Sequence, residues 1–272
     1  MTMATVDDAG QAAPKKTSIR VNWRALISIG ALIALWQILW SLGIIPARAF
    51  PSAPQVFNAI IAAFTQPFAG QSIWAHMGMS LLRWSLGVGL AVAMGVVIGA
   101  LMGWYPLFRA MTKPIFEFYR YIPPLAWVPL TVLILGPTLK AAAFIVFVGA
   151  LPPVIINTWS GVYHTDPILN DAAKTLGAGR LRTLVRVALP VASLSIMSGV
   201  RTAVGAGWAS LIGAELVGAQ SGLGFIIVNS EEAQRPADIV VGMLLIGLIG
   251  MLIDLIFRRL SATRTRWFGA EL

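Results

Sequence analysis

Cysteine is absent from the 272 residues, which excludes a disulfide framework, a thiolate nucleophile and a cysteine-built metal site. His76 and His164 are the only two histidines, and with no second imidazole at helical spacing neither starts a metal centre. Charge is scarce as well: 11% of residues are charged against 57% hydrophobic, and the mean hydropathy is +0.79. A soluble domain with so little polar surface cannot cover itself, so the chain reads as an all-α polytopic membrane protein. The pattern G-x-x-x-x-G-K-[ST] does not occur, and GAGR at 177–180 lacks both its lysine and a preceding strand, so the chain does not hold ATP on a phosphate loop. No nucleophile stands beside a base and no carboxylate pair marks a polar cleft, which argues against an enzyme.

What is present is apolar length. Six runs approach the ~20 residues that cross a bilayer, at roughly 25–45, 79–103, 115–135, 139–160, 191–217 and 237–257. The first is followed by Pro46 and Arg48 rather than a small-residue cleavage site, so it is expected to stay as a helix. Residues 1–18 carry no apolar periodicity and are expected to be a disordered tail, followed by a membrane domain over 19–260 and a second tail over 261–272. Lys15, Lys16, Arg20, Arg24, Arg109, Lys113, Lys174, Arg180, Arg182, Arg186, Arg258, Arg259, Arg264 and Arg266 fall on one side of these spans. Only Arg48, Lys140 and Arg235 fall on the other, and the positive-inside rule then predicts both termini in the cytoplasm. The net charge of +9 is thus topology, and its scatter over separate segments speaks against nucleic acid as a partner.

Within the loop 161–190 the stretch LNDAAKTLGAGRLRTLVRVALP is polar and basic between two apolar spans. Asp166 before Pro167 predicts a helix start, and Gly177 a left-handed stop. About ten residues are too few to form a stable helix alone in water, so this one needs a surface to lie against. Ala172 and Ala173 leave one side nearly smooth for the close approach of another protein. A helix resting on lipid is the alternative, for which Arg180, Arg182 and Arg186 are apt.

The spacing Asp171, Ala172, Ala173, Gly177, Val187, Leu189, Pro190 resembles the EAA loop of ATP-binding-cassette (ABC) importer permeases, with Asp171 where that family usually has glutamate. The segment from Phe50 to Val56, then His76, Ser80, Leu81, Arg83 and Gly87, the run from Tyr119 to Leu130, and GWASLIGAELVGAQSGLGFII at 207–227 resemble the nitrate, sulfonate, taurine and bicarbonate permeases, the taurine permeases in particular. The turn from Leu135 to Lys140 departs from them, being shorter than their usual Phe-Gly-containing loop. The resemblance implies a type I ABC importer permease fold in a bacterial inner membrane, working as a homodimer with membrane lipid around it. It also implies two copies of a cytoplasmic ATP-binding subunit, which would hold the ATP and Mg, and an external substrate-binding protein; no cofactor is expected in this chain. Asp171, Ala172, Ala173, Gly177, Leu189 and Pro190 would then couple to the ATPase. The implied cargo is a small anion or zwitterion, a sulfonate such as taurine first, with nitrate, bicarbonate and other organic anions behind.

The spans hold further pointers. Gly87, Ala91, Gly95, Gly99 and Gly103 recur every fourth residue, as do Ser195, Gly199, Ala203 and Gly207, and such small-residue seams let helices approach closely in lipid. The second seam is read as a subunit or gate interface, the first as intramolecular packing. Pro123, Pro124 and Pro129 break the third span and Pro152 and Pro153 interrupt the fourth, which marks a pathway or a packing kink. An ionisable group at the bilayer centre costs ~3 kcal/mol or more, so Glu117, Arg120, Arg201, Glu215 and Asp254 each need a partner or water. Glu117 is expected to pair with Arg120, Asp254 with Arg258, and Arg201 to bridge to Glu117. Tyr119, Arg120, Trp127, Arg201, Trp208 and Glu215 are the pathway candidates. A proton-coupled secondary transporter is the rival class, with Glu215 as the carboxylate that would titrate.

Overall fold

The computed structural model describes residues 23–46 and 50–265; the expected tail 1–18 and residues 266–272 of the second tail lie outside them. The first helix, α1 (Trp23–Ser41), forms a unit by itself and ends where Gly43 turns the chain with φ 71° ahead of Pro46. The second unit carries α2 (Ala53–Thr65), α3 (Ile73–Trp104), α4 (Pro106–Arg120), a 3₁₀ turn (Pro124–Trp127), α5 (Val128–Leu135) and α6 (Leu139–Tyr163). It continues with α7 (Pro167–Thr175), α8 (Arg180–Thr183), a π-turn (Leu184–Ala188), α9 (Leu189–Val191), α10 (Ser193–Gly218), α11 (Leu223–Glu232) and α12 (Pro236–Thr265).

Among the described residues, four segments are long and apolar enough to cross a membrane: α3, α6, the run Ser193–Glu232 holding α10 and α11, and Pro236–Arg259 within α12. A fifth crossing is the pair α4 and α5, bent by 89° at the prolines. Among the described residues four crossings are counted, and five with the bent pair, against the six expected; the remaining expected span is α1, whose described apolar part, Ile27–Ser41, is shorter than the ~20 residues of a full crossing. Helix α2 was not foreseen as an element. Its start is fixed by a capping box in which Ser52 Oγ accepts from Gln55 N (3.4 Å) and Gln55 Oε1 accepts from Ser52 N (2.8 Å).

The core is three helices, and glycine decides how they meet. A Cβ on Gly95, Gly99 or Gly103 of α3 would fall within 2.7–2.8 Å of Val154, Thr158 or Val162 of α6, and one on Gly87 would strike Val146. Both rows advance by four residues in step, so branched knobs of α6 seat in the glycine groove of α3 and the two helices run parallel. Parallel neighbours need a return crossing between them, which is the bent pair α4 and α5. Helix α10 packs on α6 in the opposite sense and touches α3 as well: Ser195 meets Gly161, Gly199 meets Asn157 and the Pro153 carbonyl, and Gly207 meets Val88 of α3 together with Val146 and Ala150. The α10 seam is thus filled from within the chain, which corrects its reading as a subunit or gate interface. The α3 seam is intramolecular, as expected.

One of the two prolines inside α6, Pro152, is accommodated by an identifiable donor. Pro152 has no N–H for the carbonyl of Val148, and the Tyr119 hydroxyl supplies it at 2.9 Å. Asn157 Nδ2 donates to the Pro153 carbonyl (2.9 Å), and Ser195 Oγ donates to the Asn157 carbonyl (2.7 Å).

Candidate functional site

Because α10 runs antiparallel to α6, the segment joining them lies at one end of the bundle. There α7 forms as its residues dictate. Asp166 Oδ1 accepts from Ile168 N (2.9 Å), Pro167 occupies the first helical position, and Gly177 takes φ 78° with its N–H on the Lys174 carbonyl (2.9 Å). Asp171 pairs with Lys174 at 2.9 Å on the exposed side. Ala172 is exposed and Ala173 half-buried. Ile168, Ala172 and Leu176 are four apart, hence on one face, and Ile168 and Leu176 are 74% and 88% exposed. A small centre flanked by two large apolar side chains is a face that needs covering. The following segment is the opposite: Leu184, Ala188 and Ala192 are buried against Ala100 and Val162, and Leu189 packs beside them. Pro190 is exposed. The π-turn ends just before Pro190, widening the helix where the N–H for the Arg186 carbonyl is lost.

At the other end, α10 stops at Gly218 and α11 starts at Leu223, leaving the first N–H groups of α11 in need of acceptors. Three side chains supply them: Gly222 N donates to His76 Nδ1 (3.0 Å), Leu223 N to Ser80 Oγ (2.9 Å) and Gly224 N to Glu215 Oε2 (3.0 Å). Arg83 Nη1 then closes on Glu215 Oε1 at 2.9 Å and on the Ser221 carbonyl, and its Nη2 donates to Ser221 Oγ (2.9 Å). Ser80 Oγ lies 2.8 and 2.9 Å from the two Glu215 oxygens. With Nδ1 accepting, His76 carries its proton on Nε2 and donates to the Phe68 carbonyl at 3.1 Å. His76, Ser80, Arg83 and Glu215 are all under 5% exposed. Glycine is required twice: Gly222 has φ 115° and a Cβ there would enter the Glu215 carboxylate, while one on Gly224 would lie 2.6 Å from Glu215 Cβ. This cluster ties α3, α10 and α11 together, with the Glu215 carboxylate receiving three donors from within the protein, Ser80 Oγ, Arg83 Nη1 and Gly224 N.

The sequence placed Glu215 but not its partner. Arg83 stood inside a span with the same need for a counter-charge, and that was the available signal. Arg201 does not reach Glu117: its Nε lies 3.3 Å from Asp254 of α12, which also holds Arg258 at 2.7 Å as expected, so the Arg201–Glu117 bridge is corrected. Glu117 pairs with Arg120 at 2.7 Å, as its spacing predicts, and Arg120 also bonds the Tyr121 hydroxyl (3.1 Å). Trp127 packs between Tyr119 and Phe144 beside the bend, and Trp208 Nε1 donates to the Ile246 carbonyl at 3.3 Å. Of the six pathway candidates, Tyr119, Arg120 and Trp127 lie together at the bend between α4 and α5, while Arg201, Trp208 and Glu215 are spread along α10.

Residues 87–264 match the family described as binding-protein-dependent transport system inner membrane component, a stretch that runs from the glycine seam through the capped loop to α12. The chain belongs to this family. It is 33% identical over 265 residues to the taurine transport system permease protein TauC of Escherichia coli (strain K12), covering 94% of this chain and 96% of that protein. It is 35% identical over 251 residues to the bicarbonate transport system permease protein CmpB of Synechococcus elongatus, covering 89% and 87%. In fold it is similar to a chain of the MetNI methionine ABC transporter, with a TM-score of 0.58 at 21% identity over 70% of this chain and 93% of that one. This permease is accordingly a multi-pass inner-membrane protein of the ABC importer family to which the taurine, aliphatic sulfonate, nitrate and bicarbonate permeases belong.

Proposed function

We propose that this permease works as a homodimer with two copies of a cytoplasmic ATPase, receives a small anion or zwitterion from an external binding protein, and couples ATP hydrolysis to its passage through the loop 166–190. ATP and Mg belong to the ATPase in this reading, and both termini face the cytoplasm. The observation that carries it is α7: a helix capped at both ends whose outer face is Ile168, Ala172 and Leu176, with Asp171, Ala173 and Gly177 around it. Closing of the ATPase dimer would move α7, and the buried run 184–192 with Leu189 and Pro190 would pass that motion to α10. A sulfonate such as taurine is the first cargo proposed, on the likeness to the taurine permease; bicarbonate and nitrate follow. A proton-coupled carrier needs a carboxylate free to exchange protons, and the burial of Glu215 in an ion pair with Arg83, with Ser80 and Gly224 N also donating to it, disfavours it.

Ala173→Glu tests the coupling role. It adds bulk and charge on α7, outside both glycine seams, so the membrane helices should fold while the ATPase fails to copurify from detergent. A full yield of bound ATPase would overturn the reading.

A further inference from the structure

Helix α4 has three sides. At ~100° per residue, Phe108, Thr112, Phe116 and Tyr119 share the side packed on the bundle, while Leu107, Met111, Ile115 and Phe118 form a stripe that is 65–75% exposed. Arg109, Lys113 and Glu117 lie on a third side, about 160° round from the exposed apolar stripe. They line an open pocket of about 420 Å³ with Pro106, Ala110 and Pro114. Neither cation meets a carboxylate within ion-pair distance among the described residues, since Glu117 is taken by Arg120. Both are instead seated on aromatic faces: the Arg109 guanidinium is 4.6 Å from the Tyr163 ring and the Lys113 ammonium 5.7 Å from the Trp159 ring. An aromatic face orients a cation without using up its hydrogen-bond donors. Arg109 spends one donor on a long contact to the Met102 carbonyl, 3.4 Å.

We propose that Arg109 and Lys113 form an oxyanion station for the imported solute, the sulfonate or carboxylate binding at the two cations and the ammonium of a zwitterion turning toward Glu117. The inference rests on the import reading above and gives it a binding site. Its place fits release: Tyr163 ends α6 immediately before the loop that carries α7, so the station lies at the coupling end of the bundle. An anionic lipid's phosphate shares this chemistry. The solute is favoured because the cations face away from the stripe a bilayer would cover. Cations on aromatic seats hold an anion loosely, as a pathway requires if the solute is to leave.

Trp159 beneath Lys113 provides a readout. The purified full-length permease in phosphatidylcholine nanodiscs, without ATP or ATPase, is titrated with taurine and with bicarbonate while tryptophan emission is followed. A saturable change at a Kd on the order of 1 mM is expected. It should be lost in Trp159→Phe, weakened about tenfold or more in Lys113→Gln and Arg109→Gln, and unaffected in Lys140→Gln. No saturable change with either solute overturns the proposal. A change seen only when phosphatidylglycerol replaces phosphatidylcholine also overturns it, assigning the site to a lipid headgroup. The assay contains no ATPase, so loss of coupling leaves it untouched. Conversely, absent binding leaves the copurification test on Ala173 unchanged, and the two failures are told apart.

Discussion

Glu215→Ala is the perturbation with the largest expected effect. It removes the acceptor of a guanidinium that is 4% exposed, and breaking one partner of such a buried pair costs ~3–5 kcal/mol. It also leaves Ser80 Oγ and Gly224 N without their acceptor, which adds ~1 kcal/mol or more where water does not enter. At ~2–4 °C per kcal/mol, a total of about 5 kcal/mol lowers the melting temperature by ~10–20 °C. Glu215→Gln keeps an oxygen for Gly224 N but loses the charge and turns the other acceptor into an NH2 donor beside Arg83, so it should fall between wild type and Glu215→Ala. Arg83→Met strands the carboxylate instead, and the double variant Arg83→Met/Glu215→Met should lose less than the sum of the two single changes, because the second substitution removes a charge the first had stranded. The measurement is thermal unfolding of the purified permease by tryptophan emission, with uptake in reconstituted vesicles alongside. Single variants that melt within ~2 °C of wild type, or effects that add without coupling, would refute the anchor. Unchanged melting with lost uptake would make Glu215 a pathway group.

The remaining predictions follow from contacts. Gly99→Leu drives a side chain into the Ile155 carbonyl and Thr158 at 2.7 Å and should abolish folded permease, whereas Gly89→Leu, which meets nothing within 4 Å, should express as wild type in a detergent size-exclusion assay. Asp254→Asn removes the carboxylate shared by Arg201 and Arg258 and should lower the melting temperature more than Arg201→Gln, while adding Arg201→Gln to Asp254→Asn should cost little further; simple additivity would show the two do not interact. Gly177→Val has open space around it but forces a branched residue to φ 78°, a strain of ~1 kcal/mol or more that should leave insertion intact and lower transport per ATP hydrolysed.

What was legible in the sequence is what depends on local chemistry. Asp166, Pro167 and Gly177 specify α7 through a cap, a first-turn proline and a left-handed stop, all within twelve residues, so its ends came out as expected. Small residues every fourth position announced two seams, but not what fills them. Helix α6 meets both, with Val146, Val154, Thr158 and Val162 against α3 and Ala150 and the Asn157 side against α10, and a row of branched residues in an apolar span carries no mark of being a knob. That is why the α10 seam was read as an interface between subunits.

The same reason hid the ion pair. A charge in a span announces its need for a partner, because leaving it bare in lipid costs several kcal/mol. It does not announce the partner's position, which depends on which helices the seams bring side by side and in which direction. Once α3 and α10 are known to run opposite ways against α6, the start of α3 must lie beside the end of α10, and Arg83 and Glu215 become neighbours across 132 positions of sequence. Arg201, nearer the other end of α10, is then out of reach of both. The direction of packing, set by glycines that carry no charge, decides which charges can meet.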